Sequence, residues 1–283
     1  MDDSIKVKEH LSNSEMCEHM ELLALKKVGY PWWRSFLLSV FGGIFIAFGA
    51  MFATLVSAGG GVAPYGLIRL VAGMAFSLGL ILVIVGGAEL FTGSTIISVA
   101  VFNKKIKISK LIKNWLTVYI GNFCGAILIA VLIFLGKHYT FGNGSVGTVA
   151  MNTAILKVHH TFIEAMVLGI LCNLLVCLAI WLTYSTKSIS GKIMAIIFPV
   201  TAFVAAGFEH SVANMYFVPL ALFIKKWDPN FLSNFNTSGL NLENFLVNNL
   251  LPVTIGNIIG GVALWLSFNI LYRKNKVNEN SLN

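Results

Sequence analysis

The chain has 283 residues, of which 57% are apolar and only 11% charged. Soluble domains carry about 25% charged residues, so a soluble globular protein is excluded. The net charge of +8 fits nucleic-acid binding only if the basic residues form a common patch, and they do not. They cluster at the ends of apolar runs, where they orient a membrane protein.

Residues 1–34 come first, with six acidic residues among their lysines. Met16, His19, Met20 and Leu23 fall at helical spacing, interspersed with Glu15, Glu18 and Glu21, which predicts an amphipathic helix. Such a segment lies on the membrane surface, caps a pore or stays a solvated arm. It lacks the pattern of a cleaved signal peptide.

Six apolar runs follow, each long enough for the about 20 residues that cross a bilayer. They cover roughly 35–57, 70–102, 115–136, 162–184, 193–224 and 250–271. Spans 2 and 5 are longer than one tilted helix needs, and each carries a polar, glycine-bearing interruption near its middle. Both are therefore expected to be broken helices. The chain divides into a cytoplasmic amphipathic segment (1–34), a six-span membrane domain (35–272) and a cytoplasmic tail (273–283).

Of the 20 basic residues, 15 sit in the first segment, the 2–3 loop, the 4–5 loop and the tail. The other side holds Arg69, Lys137, Lys157, Lys225 and Lys226. Basic loops stay cytoplasmic, which puts both termini there. Cys17, Cys124, Cys172 and Cys177 show no metal or disulfide spacing. His159 and His160 are adjacent and point apart on a helix, so no metal site is read there. No cofactor or nucleotide-binding motif occurs, and nucleic acid is not an expected partner.

Span 2 reads Gly87-Ala88-Glu89 at its break and span 5 reads Gly207-Phe208-Glu209. Span 3 contains Val118-Tyr119-Ile120-Gly121-Asn122-Phe123-Cys124-Gly125 and span 6 contains Val253-Thr254-Ile255-Gly256-Asn257-Ile258-Ile259-Gly260, both V-x-I-G-N-x-x-G. Three spans per half is an odd number, so the second half is inverted. A 3+3 inverted repeat places its site near the bilayer midplane, at the broken helices. Gly121/Gly125 and Gly256/Gly260 are also small-xxx-small pairs that bring helices together.

Ionisable groups inside a bilayer are costly and mark function. Those read as deep are Glu89, Glu164, Glu209 and His210, with Thr92, Asn122, Asn173, Ser211, Asn214 and Asn257 around them. His210 is the histidine that falls inside a span. It is either a charged or proton-handling group or a neutral ring bonded to backbone at the break. Glu89 and Glu209 are candidates for holding the loose backbone N–H groups of their breaks. Lys157, ahead of span 4, reads on its own as a solvated loop charge. A membrane-embedded enzyme built on Glu209-His210 would lack a nucleophile or metal set, so the chain is not read as an enzyme.

The stretches Gly87 to Gly93 (GAELFTG), Lys157 to Trp181 (KVHHTFIEAMVLGILCNLLVCLAIW), Gly207 to Pro219 (GFEHSVANMYFVP) and Leu251 to Gly261 (LPVTIGNIIGG) resemble the formate/nitrite transporter family. The resemblance covers Tyr30 to Leu271. It implies an all-α, aquaporin-like protomer in the plasma membrane, assembled as a homopentamer among lipid, with one pore per protomer. It implies passage of a small monovalent anion, formate first, with nitrite, hydrosulfide, acetate and lactate as alternatives. A neutral-solute aquaporin-like channel is the more distant one. It pairs His210 with Thr92 and makes Lys157, Glu209, Asn173 and Asn214 the polar set. It places one apolar constriction at Phe76, Leu80 and Phe203 on the outer side, and another at Leu90, Phe91 and Val176 on the inner side. Passage is expected to depend on pH through His210, as a channel or with proton coupling.

Overall fold

A computed structural model of the chain describes residues 10–59, 63–233 and 235–273. Lys6, Lys8, Gly60, Gly61, Lys274, Lys276 and nearly all of the proposed tail lie outside the described residues. Among those described there is no strand, only an isolated bridge between His10 and Thr186. The helices are α1 (Asn13–Gly29), α2 (Trp32–Ser57), α3 (Tyr65–Gly86), α4 (Phe91–Ser94), α5 (Ile97–Phe102), α6 (Ile108–Leu135), α7 (Ser145–Val158), α8 (Phe162–Tyr184), α9 (Ile189–Ala206), α10 (Ser211–Trp227), α11 (Leu242–Asn244) and α12 (Leu251–Tyr272). A π-helical turn over 245–250 joins α11 to α12. Among the described residues, six helices are long and apolar enough to cross a membrane.

Helix α1 starts at a capping box, with Ser12 Oγ accepting the Glu15 N–H and the Glu15 carboxylate accepting the Ser12 N–H. Its Met16, Cys17, Met20 and Ala24 are buried against the bundle. A solvated arm is therefore excluded for this helix: its apolar stripe has found a protein surface to cover. Helix α2 packs on α3 and α6, α8 packs on α9 and α12, and α3 and α9 pack on each other.

The approach of these helices is set by glycine. A Cβ on Gly125 would stand 2.0 Å from the carbonyl oxygen of Val40, and one on Gly256 would stand 2.1 Å from that of Met166. No side chain fits in either gap, so α6 meets α2, and α12 meets α8, backbone to backbone. Outward-facing Leu116, Ile120, Leu132, Ile163, Phe198 and Ile270 are exposed, as expected of a surface turned toward lipid or another subunit.

Candidate functional site

Two interruptions lie at the centre of the bundle. Helix α3 ends at Gly87 with φ +80°, and α9 ends at Gly207 with φ +78°, the left-handed cap that glycine takes without strain. The chain then runs non-helically to Leu90 in one case and His210 in the other before α4 and α10 begin.

Each interruption is held by the same set of contacts. At the first, the Glu89 N–H donates to the Leu38 carbonyl at 3.1 Å. Asn122 Nδ2 donates to the carbonyls of Ser39 (2.7 Å) and Glu89 (2.9 Å), while its Oδ1 accepts the Phe91 N–H at 2.8 Å. At the second, the Glu209 N–H donates to the Leu168 carbonyl at 3.3 Å. Asn257 Nδ2 donates to the carbonyls of Gly169 (2.8 Å) and Glu209 (2.9 Å), and its Oδ1 accepts the Ser211 N–H at 2.9 Å. One buried asparagine thus satisfies two backbone groups that each break would otherwise leave unpaired in an apolar interior, and its third bond ties the break to the neighbouring helix α2 or α8.

The glutamates are each met by a lysine. Lys27 Nζ donates to Glu89 at 2.5 Å and Lys157 Nζ to Glu209 at 2.8 Å. Ser94 Oγ donates to Glu89 at 3.4 Å, and Asn214 Nδ2 to Glu209 at 2.7 Å. Asn114 Nδ2 donates to the Lys27 carbonyl at 3.5 Å, and Asn249 Nδ2 to the Lys157 carbonyl at 2.9 Å. Glu209 also accepts from Asn249 at 3.2 Å and lies 3.7 Å from His160 Nε2. The loose N–H groups of Phe91 and Ser211 go to Asn122 and Asn257, and the carboxylates, which the sequence reading gave that task, instead accept from the side chains of Lys27, Ser94, Lys157, Asn214 and Asn249.

Lys157 is not a solvated loop charge. It lies in the last turn of α7 with 13% of its side chain exposed, and its ammonium stands 5.5 Å from the Phe217 ring centroid. Glu164 is not deep. It forms a capping box with Thr161 in the first turn of α8, which anchors it at the helix start on the exposed side.

The two interruptions differ at the residue that precedes the next helix. Where the first break has Leu90, the second has His210. Its Nε2 lies 3.1 Å from Thr92 Oγ1, and its Nδ1 accepts the Ala213 N–H at 3.1 Å. A ring nitrogen that accepts carries no proton, so the proton of this neutral ring sits on Nε2, toward Thr92. In this arrangement His210 is the N-cap of α10 and not a cation. Thr92 is held in turn. Its carbonyl accepts from Thr95 Oγ1 (2.7 Å), Asn173 Nδ2 (3.3 Å) and Cys177 Sγ (3.8 Å). Trp265 Nε1 donates to Thr95 Oγ1 at 3.1 Å.

Two cavities approach this pair from opposite faces. The one on the α7 side, of about 100 Å³, is lined by Phe76, Phe203, His210, Lys157 and Arg69. Arg69 Nε donates to the Ala205 carbonyl at 3.1 Å and its Nη2 to that of Val204, covering the C-terminal carbonyls of α9. The one on the α1 side, of about 490 Å³, is lined by Leu80, Leu90, Lys27 and Glu89 among others. Leu80 therefore groups with Leu90 and not with the outer pair. Phe76 meets Phe203 edge to face with centroids 5.7 Å apart, and Phe203 stacks on His210 at 6.1 Å. Val176 is buried one turn beyond Asn173 and lines neither cavity. The Phe91 ring lies against Tyr119 and Trp115, beside a third, lateral apolar cavity.

Lys27, Ser94, Asn114 and Asn249 escaped the sequence reading, yet a signal was present. Ala24 to Val28 and Ala154 to Val158 share A-x-x-K-V, and Asn114 and Asn249 each precede the Gly-Asn asparagine by eight positions. Among the described residues no cluster of three metal-binding side chains occurs.

A bundle of six membrane-spanning helices, interrupted at its centre and entered from both faces by cavities lined with basic residues, is a membrane transport protein. The chain belongs to the formate/nitrite transporter family, whose model matches residues 14–271. It is 45% identical over 246 residues to the formate channel FocA of Escherichia coli K12, covering 84% of this chain and 86% of that one. It is 40% identical to the formate channel FocA of Haemophilus influenzae, covering 89% and 90%. Among solved structures it is similar to a pentameric formate channel with formate bound, with a TM-score of 0.79, 42% identity, and coverage of 85% and 98%. It is also similar to an ion channel of the same family, with a TM-score of 0.76, 27% identity, and coverage of 90% and 98%.

Proposed function

We propose that the chain is a channel for formate, built as an aquaporin-like 3+3 inverted repeat with spans 2 and 5 broken, and assembled as a homopentamer in the plasma membrane. The formate-channel relatives support the substrate and the assembly. The matching contacts at Asn122 and Asn257 support the repeat. They also extend it to α1 and α7, since each supplies the lysine of its half. An even number of spans puts both termini on one side, and the lysine distribution makes that side cytoplasmic. The α1-side cavity is then the inner vestibule and the α7-side cavity the outer one.

The observation that carries the reading is the Thr92–His210 contact between the two cavities. A desolvated anion pays a large penalty in an apolar constriction. Lys157 and Lys27 are matched by Glu209 and Glu89, so Arg69 on one side and Lys26, Lys187 and Lys192 on the other raise the local anion concentration. Phe76, Phe203, Leu80 and Leu90 exclude hydrated ions. At the narrowest point the hydroxyl of Thr92, held by the Nε2–H of His210, replaces part of the hydration of the carboxylate. Glu209, Asn214 and Asn173 position these two groups. For His210 to become a cation, Nδ1 must release the Ala213 N–H and take a second proton, so the pH response of transport is coupled to the first turn of α10.

The test is uptake by purified protein in proteoliposomes, with formate against glycerol and against competing nitrite, acetate, lactate and hydrosulfide, at several pH values. Formate flux that saturates and exceeds glycerol flux is expected; glycerol passing as fast as formate overturns the reading. Native mass spectrometry checks the assembly, and a dimer as the sole species would count against the pentamer.

A further inference from the structure

The α1-side cavity holds more positive charge than a monovalent ion in transit requires. We propose that it is also a binding site for a compact multivalent anion bearing phosphate oxygens, which closes the pore from that side.

The cavity volume of about 490 Å³ falls within the about 300–1,000 Å³ typical of small-molecule sites. Four lysines line it: Lys26 and Lys27 from α1, Lys187 from the loop before α9, and Lys192 from α9. The carboxylate among the lining residues is Glu89, and Lys27 occupies it. Among the described residues, Lys26, Lys187 and Lys192 have no carboxylate within ion-pair distance. Three ammonium groups with no carboxylate partner among the described residues repel each other around one volume, and an anion of matching valence relieves that repulsion where a single formate does not.

A second feature points the same way. Lining residues Thr186, Lys187 and Lys192 bracket the N-terminus of α9, an 18-residue helix that begins after Ser188. The Gly191 N–H of that start is already taken by Ser188 Oγ, and what the helix end adds to the cavity is the positive end of its dipole. His19 lines the same cavity. Burial first, and then Lys192 and Lys26, hold its pKa below the usual histidine value. At the floor of the cavity stand Leu80 and Leu90, each 2% exposed. A multivalent anion cannot shed its hydration to pass them, so it stays at the mouth and blocks it.

Free phosphate compounds and phospholipid headgroups share this chemistry, and two arms of one experiment separate them. In the first, the purified full chain in detergent is titrated calorimetrically with pyrophosphate, with sodium chloride at matched ionic strength as reference. One pyrophosphate per chain is expected, with affinity falling about tenfold for each of Lys187→Gln and Lys192→Gln. Lys105→Gln, in the 2–3 loop away from the cavity, controls for net charge and should bind as the parent does. In the second arm, the protein is placed in phosphatidylcholine vesicles with and without phosphatidate, and protection of Lys187 and Lys192 from amine labelling is measured. Protection by phosphatidate without pyrophosphate binding assigns the site to a lipid headgroup; pyrophosphate binding assigns it to a soluble anion. Binding is read without transport, so this test stands apart from the formate assignment. Equal pyrophosphate affinity in parent and Lys187→Gln/Lys192→Gln chains, or no binding of either probe, overturns the proposal.

Discussion

The imidazole of His210 and the hydroxyl of Thr92 meet at 3.1 Å, which joins the two interruptions of the bundle by one side-chain hydrogen bond. Because the other ring nitrogen accepts from the Ala213 N–H, Thr92 Oγ1 receives the Nε2 proton and its own hydrogen stays available to a passing anion. The same geometry gives the histidine two duties, to cap α10 and to orient the Thr92 hydroxyl.

Substitution separates these duties. Asparagine is a strong N-cap residue, so His210→Asn keeps the start of α10 and should assemble normally. It should conduct formate while losing the parent's response between pH 5 and 8. His210→Phe removes cap and donor together. It should lose about 1 kcal/mol of stability and at least about tenfold in flux, the cost of an unmatched charge in the constriction. Thr92→Val removes a single hydrogen bond, worth about 1 kcal/mol net, and should reduce flux by only about fivefold. Stopped-flow measurements on liposomes at several pH values read all three. Parent-like, pH-responsive flux through fully assembled His210→Phe would leave the histidine as a structural cap alone.

The two lysine–glutamate pairs differ in burial, and their removal should differ accordingly. Lys157→Met strands Glu209, whose side chain is 3% exposed, and breaking a buried pair from one side costs on the order of 3 kcal/mol. Lys27→Met strands the more accessible Glu89 and should cost less, because Lys27 is 20% and Glu89 8% exposed. Thermal unfolding in detergent should show a clear drop for Lys157→Met, with most of it recovered in Lys157→Met/Glu209→Gln. If the double substitution is as unstable as the single one, the pair is not what holds the second break.

These pairs mark where the sequence stopped being readable. The six spans could be placed because about 20 apolar residues have few other uses. Glu89, Glu209, Asn122 and Asn257 could be found because polar groups in such runs are conspicuous. Their functions could not, because a hydrogen bond depends on a partner distant in the chain: Asn257 serves Gly169 and Glu209, and no periodicity points to either. Lys27 was harder still. It sits in a polar, mixed-charge segment where one lysine more is unremarkable, and only the repeat of A-x-x-K-V sets it apart. Glu164 misled in the opposite direction, since the edge of an apolar run is also where a capping box belongs.

Close helix approach makes Gly256 intolerant of even a methyl group. A Cβ there would lie 2.1 Å from the Met166 carbonyl and 3.0 Å from the Ile170 nitrogen, both backbone atoms that cannot move without shifting α8. Gly256→Ala should therefore separate α12 from α8 and pull Asn257 off the Gly169 carbonyl. Little assembled protein should be recovered by size-exclusion chromatography. Gly66→Ala, where nothing lies within 4 Å of the added atom, should behave like the parent.

The docking of α1 should weaken in acid. His19 packs edge-on against Tyr184 with ring centroids 5.1 Å apart. Burial there, reinforced by Lys192 and Lys26, lowers its pKa. A ring with a lowered pKa binds a proton less readily docked than free. The free helix therefore takes up more protons as pH falls, and docking loses stability as pH drops below the unperturbed value of about 6.5. Above that pH both forms are neutral and docking is at full strength. Hydrogen exchange of the α1 amides, corrected for intrinsic rate, should be faster at pH 5.5 than at pH 7.5. His19→Phe keeps an aromatic edge for Tyr184 and removes the titration, so its exchange should be the same at the two values. Equal corrected rates in the parent at both pH values would mean that the contacts of Met16, Cys17, Met20 and Ala24 hold the helix regardless of the charge on His19.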